Sequence, residues 1–465
     1  MRTLIRNGTV INATGRMAAD VLVDGETIAA VTAPGVFTEA DSVIDTVIDA
    51  RGKYVIPGGI DAHTHMEMPF GGTFSHDTFA TGTTAAAWGG TTTIIDFAVQ
   101  AKGTSLLSTM DKWHEKADGN CAIDYGFHMI ISEVDDSSLK EMQSCIDAGV
   151  NSFKMFMAYP GVFYSTDGEI LRAMQRAAET GSMIMMHAEN GIAIDQLVAQ
   201  ALAAGRTEPV HHSLTRPPEL EGEATSRAIQ LAKVTRAPLY IVHLSSRHAL
   251  AAVAEARNTG QNVFAETCPQ YLYLSIEDMR KPDFEGAKYV ASPPLRTKDH
   301  QTDLWRGLRT NDLSIVSTDH CPFCFNDQKQ LGRDDFSKIP NGMPGVEHRM
   351  DLLHQGVVTG EITLERWVEV SSTTPARMFG LQGRKGTIAP GADADIVVYD
   401  PTVKQTISAA THHMNVDYSA YEGLDITGKV DTVLSRGTVI IADGAFHGRE
   451  GHGQFLKREL SQYLI

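Results

Sequence analysis

Between residues 55 and 320 the chain repeats one pattern eight times: a strand-length run that is apolar almost without a break, then a stretch with helical period. Runs such as Ser182-Met183-Ile184-Met185-Met186 and Leu239-Tyr240-Ile241-Val242 have no polar face to turn to water. That is the condition of a parallel strand covered on both sides. The runs lie near 55–60, 91–98, 124–131, 151–157, 182–189, 238–245, 262–269 and 313–320. The helical stretches lie at 78–89, 104–118, 137–148, 168–180, 223–236, 247–259 and 300–310, with a further helical region over 347–379. Eight such alternations predict an α/β fold, a closed (β/α)8 TIM-like barrel, in preference to an open doubly wound sheet.

Both ends of the chain break the pattern. Residues 1–52 hold short β-rich runs and turns, and β character returns after residue 385, as in Asp395-Ile396-Val397-Val398-Tyr399. The expectation is one small β-sandwich built from 1–52 and 385–465, with the barrel over 53–384. The loop at 321–346 holds Pro322, Pro340, Gly342, Pro344 and Gly345 among its residues and follows the last barrel strand, where barrel enzymes build part of their sites.

Charge excludes one class of function. With 40 basic and 57 acidic side chains the formal net charge is −17, which does not suit a nucleic-acid surface. No stretch reaches the roughly 18 apolar residues of a membrane span, and polar residues interrupt the N-terminus at once. Five scattered cysteines (Cys121, Cys145, Cys268, Cys321 and Cys324) do not make a disulfide framework. These features predict a cytoplasmic protein. The lone Cys321-Pro322-Phe323-Cys324 has no second pair and no redox context, so it is read as incidental.

The chemistry-bearing residues fall at the strand ends. His63 and His65 follow the first run and, two residues apart, face the same side. His187, His243 and Asp319 close the fifth, sixth and eighth runs. Lys154 stands inside the apolar fourth run, where an unpaired ammonium is costly. Singly, a strand histidine is more often a hydrogen-bonded core group than a ligand, and an H-x-H pair is a weak signal. Jointly, a barrel directs all these ends to one mouth, where imidazoles and a carboxylate are the ligands of zinc-like ions.

Asp61-Ala62-His63-Thr64-His65, Phe153-Lys154-Met155-Phe156, His187-Ala188-Glu189-Asn190, Val242-His243-Leu244-Ser245 and Thr318-Asp319-His320-Cys321-Pro322-Phe323 together resemble the dihydropyrimidinase and D-hydantoinase family of amidohydrolases. Ser292-Pro293-Pro294-Leu295-Arg296 and Pro340-Asn341-Gly342 belong to the same likeness, which runs over nearly the whole chain. The resemblance implies two zinc ions, with Mn or Co as alternatives. His63, His65 and Asp319 would hold one ion, and His187 and His243 the other. Lys154 would be carbamylated by CO2 and bridge them, which also resolves its buried charge.

The resemblance further implies hydrolysis of a cyclic amide, a 5,6-dihydropyrimidine or 5-substituted hydantoin, to an N-carbamoyl amino acid. A metal-bridging hydroxide would attack, with Asp319 as general base and acid and Tyr159 stabilising the oxyanion. Ser292 and Asn341 would hold the ring's amide edge, largely through backbone groups. Apolar and aromatic loop residues at 66–76, 97–104 and 156–165 (Met68, Phe70, Phe97, Phe156 and Phe163 foremost) are candidates for the exocyclic group. A homotetramer, or a dimer, with the tail at 446–465 helping subunits meet, completes what the resemblance implies.

Three other readings compete. Dihydroorotase and allantoinase use the same scaffold. Dihydroorotases carry an arginine two residues after the H-x-H pair to grip a carboxylate, where this chain has Glu67. Non-catalytic assembly proteins of the same fold lose metal ligands that this chain keeps.

Overall fold

The computed structural model describes residues 1–37 and 44–464. Eight parallel strands follow one another around a barrel in chain order: β1 (Gly59–Thr64), β2 (Thr91–Val99), β3 (Asp124–Ile130), β4 (Ser152–Phe156), β5 (Met183–His187), β6 (Leu239–Ile241), β7 (Val263–Thr267) and β8 (Ile315–Val316). Every residue of these strands is buried, as their unbroken apolar character demands. The first and last strands meet just beyond their ends, through a parallel bridge between Thr64 and His320 and a bond from His65 N to His320 O of 2.9 Å.

The run expected as the first barrel strand divides in two. Tyr54–Pro57 pairs with Ile396–Tyr399 and with Thr9–Val10, outside the barrel, and β1 begins only at Gly59. Gly58 makes the crossing: a Cβ there would lie 2.1 Å from Thr92 Oγ1, so only glycine fits between the two sheets. The outer sheet has nine strands and mixes both chain ends. Its order runs Ala445–Phe446, Thr438–Ala442, Asp425–Ser435, Ile396–Thr406, Tyr54–Pro57, Arg2–Asn12, Gly15–Asp24, Thr27–Thr32, with Thr46–Asp49 beside Arg2–Asn12. It encloses a core of its own (Ile5, Val21, Val55, Ile396 and Leu434 among others), separate from the large barrel core.

Most barrel helices start on a side-chain cap. Thr78 accepts from Thr81 N, Thr166 from Glu169 N and Ser246 from Ala249 N. Each such cap satisfies an otherwise orphan amide and contributes about 1 kcal/mol. A helix that periodicity missed, Gly191–Ala203, follows β5 and is capped by Asn190. Its apolar residues surround it rather than forming a stripe, which hides its period. Among the described residues no helix is long and apolar enough to cross a membrane.

The tail packs on its own barrel. Phe455 bridges to Tyr125 at the foot of β3, and Arg458, buried, donates to the Asn151 side chain and the Phe127 carbonyl. Residue 465 lies outside the described residues.

Candidate active site

At the C-terminal mouth of the barrel, the six residues singled out by sequence come together. His63 Nε2 and His65 Nε2 lie 3.1 and 3.2 Å from the same oxygen of Asp319, and these three side chains form a buried group fit to hold an ion. Lys154 Nζ is 2.9 Å from His63 Nε2. His187 Nδ1 and His243 Nε2 face each other at 2.9 Å. A cavity lined by His65, Lys154, His187, His243 and Asp319 opens among them.

The candidate ligands His63 and His187 have the supporting contacts that metal-binding histidines use. His63 turns its Nδ1 to the Glu266 carboxylate, and His187 turns its Nε2 to Glu189 at 2.8 Å. Each carboxylate fixes the ring's orientation and leaves the other nitrogen free to donate a lone pair into the cavity. Glu266, on β7, also accepts from Tyr240 OH at 2.9 Å and from His243 N at 3.1 Å, so one buried acid orders ligands on β1 and β6 together. Asp61 accepts from both the amide and the hydroxyl of Thr318, which fixes the residue before Asp319. His320, the residue after it, is held between Asp77 at 2.9 Å and the Gly345 amide.

Three site residues adopt left-handed backbone: Asp319 (φ 53°), His243 (φ 39°) and Tyr159 (φ 60°). Such conformations cost about 1–3 kcal/mol each and persist only where the surroundings impose them. Asp319 is imposed by its bonded neighbours, and His243 by the bond of its amide to Glu266. The Tyr159 carbonyl accepts from the amides of Val162, Phe163 and Tyr164.

Electrostatics follow from burial. Burial lowers the Lys154 amine to about 8, against the pull of Asp319 and Glu266. Burial alone would raise Asp319, but His63 beside it, with hydrogen bonds from His63 and His65, holds it well below the usual carboxylate range. Burial, then Glu189, pushes the Tyr159 phenol up to about 12, so it stays a proton-bearing donor.

Met68, Phe70, Phe156, Tyr159, Phe163, Ser292 and Asn341 all line the cavity. Asn341 Nδ2 reaches Ser292 Oγ at 3.1 Å. Phe70 and Phe163 stack nearly parallel with ring centres 6.3 Å apart, and Phe156 stacks on Phe163 at 5.0 Å. Phe97 is a correction. It does not line the cavity but lies in β2 beneath the ligands, 4.6 Å from the His63 ring and 5.1 Å from the His65 ring. Strand β2 runs on to Val99, so residue 97 is floor rather than loop. Glu67 likewise turns away, accepting from the Phe79 amide at a helix start, and therefore does not face a substrate. The five cysteines are free thiols, with Cys321 lining the cavity.

Glu266, Asp61 and Asp77 were missed as supporting residues. The signal was there in Glu266: a carboxylate inside the apolar run Val263–Thr267 needs a buried partner.

The profile of the amidohydrolase family matches residues 54–440. The chain is 65% identical over 463 residues to the D-hydantoinase of Streptomyces coelicolor, covering 100% of this chain and 99% of that one. Its fold superposes on the dihydropyrimidinase of Brevibacillus agri NCHU1002 with a TM-score of 0.97 at 51% identity, covering 99% of each chain. On the L-hydantoinase (dihydropyrimidinase) of Arthrobacter aurescens the TM-score is 0.87 at 30% identity, covering 97% of this chain and 99% of that one.

Proposed function

Since the chain belongs to the D-hydantoinase/dihydropyrimidinase family of amidohydrolases, we propose that it hydrolyses the amide C–N bond of 5-substituted hydantoins and 5,6-dihydropyrimidines, releasing N-carbamoyl amino acids. The observation that carries this is the convergence of four histidines, Lys154 and Asp319 on one buried cavity that Tyr159 also lines.

The donor set fits a pair of divalent ions. Two imidazole nitrogens 2.9 Å apart, with the distal nitrogen of His187 engaged by an acid, aim at a shared point, as do His63, His65 and Asp319 at another. We assign His63, His65 and Asp319 to one ion, His187 and His243 to the second, and a carbamylated Lys154 to both. The depressed amine pKa leaves a lone pair to add to CO2 with loss of a proton, which turns a buried cation into an anion with two donor oxygens. When bound, the ions supply Lewis acidity and lower the pKa of the attacking water.

The chain's own groups do the rest. Asp319 takes the proton from the attacking water and passes it to the ring nitrogen as the C–N bond breaks. Tyr159 donates a hydrogen bond from its phenol to the carbonyl oxygen as negative charge develops there, and keeps its proton. Ser292 and Asn341 hold the amide edge, and Phe70, Phe156 and Phe163 form an apolar wall for the exocyclic group.

Kinetics on protein of measured metal content test this reading. Turnover of a 5-substituted hydantoin and of dihydrouracil, with little on dihydroorotate or allantoin, is expected. A metal-replete enzyme that prefers dihydroorotate or allantoin would replace it, and one inert on all four would end it. The homotetramer that accompanies this reading is checked by sedimentation velocity.

A further inference from the structure

We propose that Lys329 is a positioning residue for the substrate ring: its buried ammonium ties together the two backbone segments that carry Ser292 and Asn341 into the cavity. Lys329 sits on the short helix Gln328–Gly332, in the long loop after β8, and is fully buried. Its Nζ donates to three backbone carbonyls, Pro340 O and Gly342 O at 2.7 Å each and Val290 O at 3.0 Å. Burial lowers this amine to about 7, while three carbonyl acceptors favour the three-proton ammonium, in which every donor is used.

Those carbonyls are placed where they matter. Pro340 and Gly342 bracket Asn341, and Val290 stands two residues before Ser292. The Val290 carbonyl also accepts from the Gly342 amide at 2.9 Å, so the two segments are laced at the point the lysine grips. Gly342 (φ 152°) is pressed against the segment that follows β8: a Cβ there would lie 2.1 Å from Cys321 O. The segment is therefore close-packed on the side that faces Cys321. Ser292, Asn341 and Gly342 all line the cavity. An apolar side chain would fill the same space without burying a charge, whose desolvation is costly. What the charge adds is the fixed placement of three carbonyls.

The neighbouring Gln328 reaches the other way, donating to Thr73 Oγ1 at 2.8 Å and Phe74 O at 2.7 Å. It offers a control on the same helix that touches a different loop. The inference rests on the functional reading above, and the test separates the two. Lys329→Met, Lys329→Gln and Gln328→Ala are compared with the parent enzyme on a 5-substituted hydantoin and on dihydrouracil, with metal content measured on each.

Lys329→Met is expected to raise KM at least about tenfold on both substrates while kcat changes less than about threefold and metal content is kept, the mark of lost uniform binding. Lys329→Gln, with two donors left, should fall between, and Gln328→Ala should leave the KM for dihydrouracil within about twofold. If Lys329→Met does not fold, Lys329→Gln decides by the same KM criterion. KM within about twofold of the parent in the Lys329 variants overturns the proposal, as does metal loss with falling kcat and constant KM. A parent inert on every cyclic amide overturns the functional reading and the ring-positioning role with it. An active parent with unchanged variants overturns the lysine's role alone.

Discussion

Lys154 Nζ stands 2.9 Å from His63 Nε2, the nitrogen that the carboxylate behind the ring leaves free to bind. It also lies 4.3 Å over the centre of the Phe97 ring and is almost wholly buried. An ammonium in that place would repel a cation from the lone pair beside it. A carbamate would attract one. Lys154→Ala should therefore empty the metal pair and lower kcat/KM by at least about a thousandfold, the several kcal/mol a lost Lewis acid is worth. Short carboxylic acids, filling the vacated space, should restore part of both. Metal analysis beside activity checks this, and full metal content with full activity and no response to acid would remove the carbamate from the account.

Asp319 is bonded on both flanks and held in a left-handed conformation, so its carboxylate is aimed rather than merely present. Asp319→Asn keeps the shape but removes the base. Turnover should drop about 10²–10⁴-fold, the range of a positioned acid–base group, even in protein that retains metal. Near-normal kcat in a metal-replete variant would assign the proton transfer elsewhere.

Tyr159 gives a prediction about pH. Its phenol is raised to about 12, so it remains protonated, and able to donate, across the whole neutral and alkaline range. Tyr159→Phe should lower kcat about 10²–10³-fold without changing the shape of the pH profile. An alkaline limb near about 10, the ordinary tyrosine value, that vanishes in Tyr159→Phe would contradict this.

The convergence of the candidate ligands was legible because parallel strands share a direction. A histidine at the end of β5 and an aspartate at the end of β8 must arrive at one mouth whatever lies between. The barrel and the mixed origin of the outer sheet were legible for the same reason, since both rest on where apolar and β-rich runs fall. Lys329 and Asp77 were not legible. They act from loops, where no period ties position to direction, and the partners that tie Lys329 to the 290 and 340 segments and Asp77 to His320 and Asn415 lie 11 to 338 residues away. Phe97 was misplaced because strand and loop meet without a sequence break at Phe97-Ala98-Val99-Gln100.

The outer sheet is pinned to the barrel by buried charge. Lys385 Nζ lies 2.7 Å from both Asp124, at the start of β3, and Asp395, while Arg436 Nε reaches Asp124 at 3.0 Å. Lys385→Met strands these carboxylates in the interior and should destabilise the fold by about 3–5 kcal/mol, read by urea unfolding. Burial opposes ionisation of Asp124, but Lys385 and Arg436 outweigh it and hold its pKa below the ordinary value. The stabilisation from Asp124 is therefore complete above the usual carboxylate range and fades as the pH falls through the depressed value. A Lys385→Met variant as stable as the parent at neutral pH would show that the cluster contributes nothing.

The aromatic wall predicts what the enzyme distinguishes. Phe163 is sandwiched, stacking on Phe156 at 5.0 Å and on Phe70 at 6.3 Å, and all three rings line the cavity. Of the three, Phe156 is the ring that meets the candidate ligands, stacking on His187 and lying 5.1 Å from Lys154 Nζ, so truncating Phe163 should spare the chemistry. A lost hydrophobic contact is worth about 1–3 kcal/mol between substrates that differ at that contact. Phe163→Ala should lower kcat/KM for a 5-phenyl hydantoin at least about tenfold while dihydrouracil, which has no exocyclic group to lose, changes less than about threefold. An equal loss on both substrates would mean that the ring supports the fold of the loop and not the fit of the substituent.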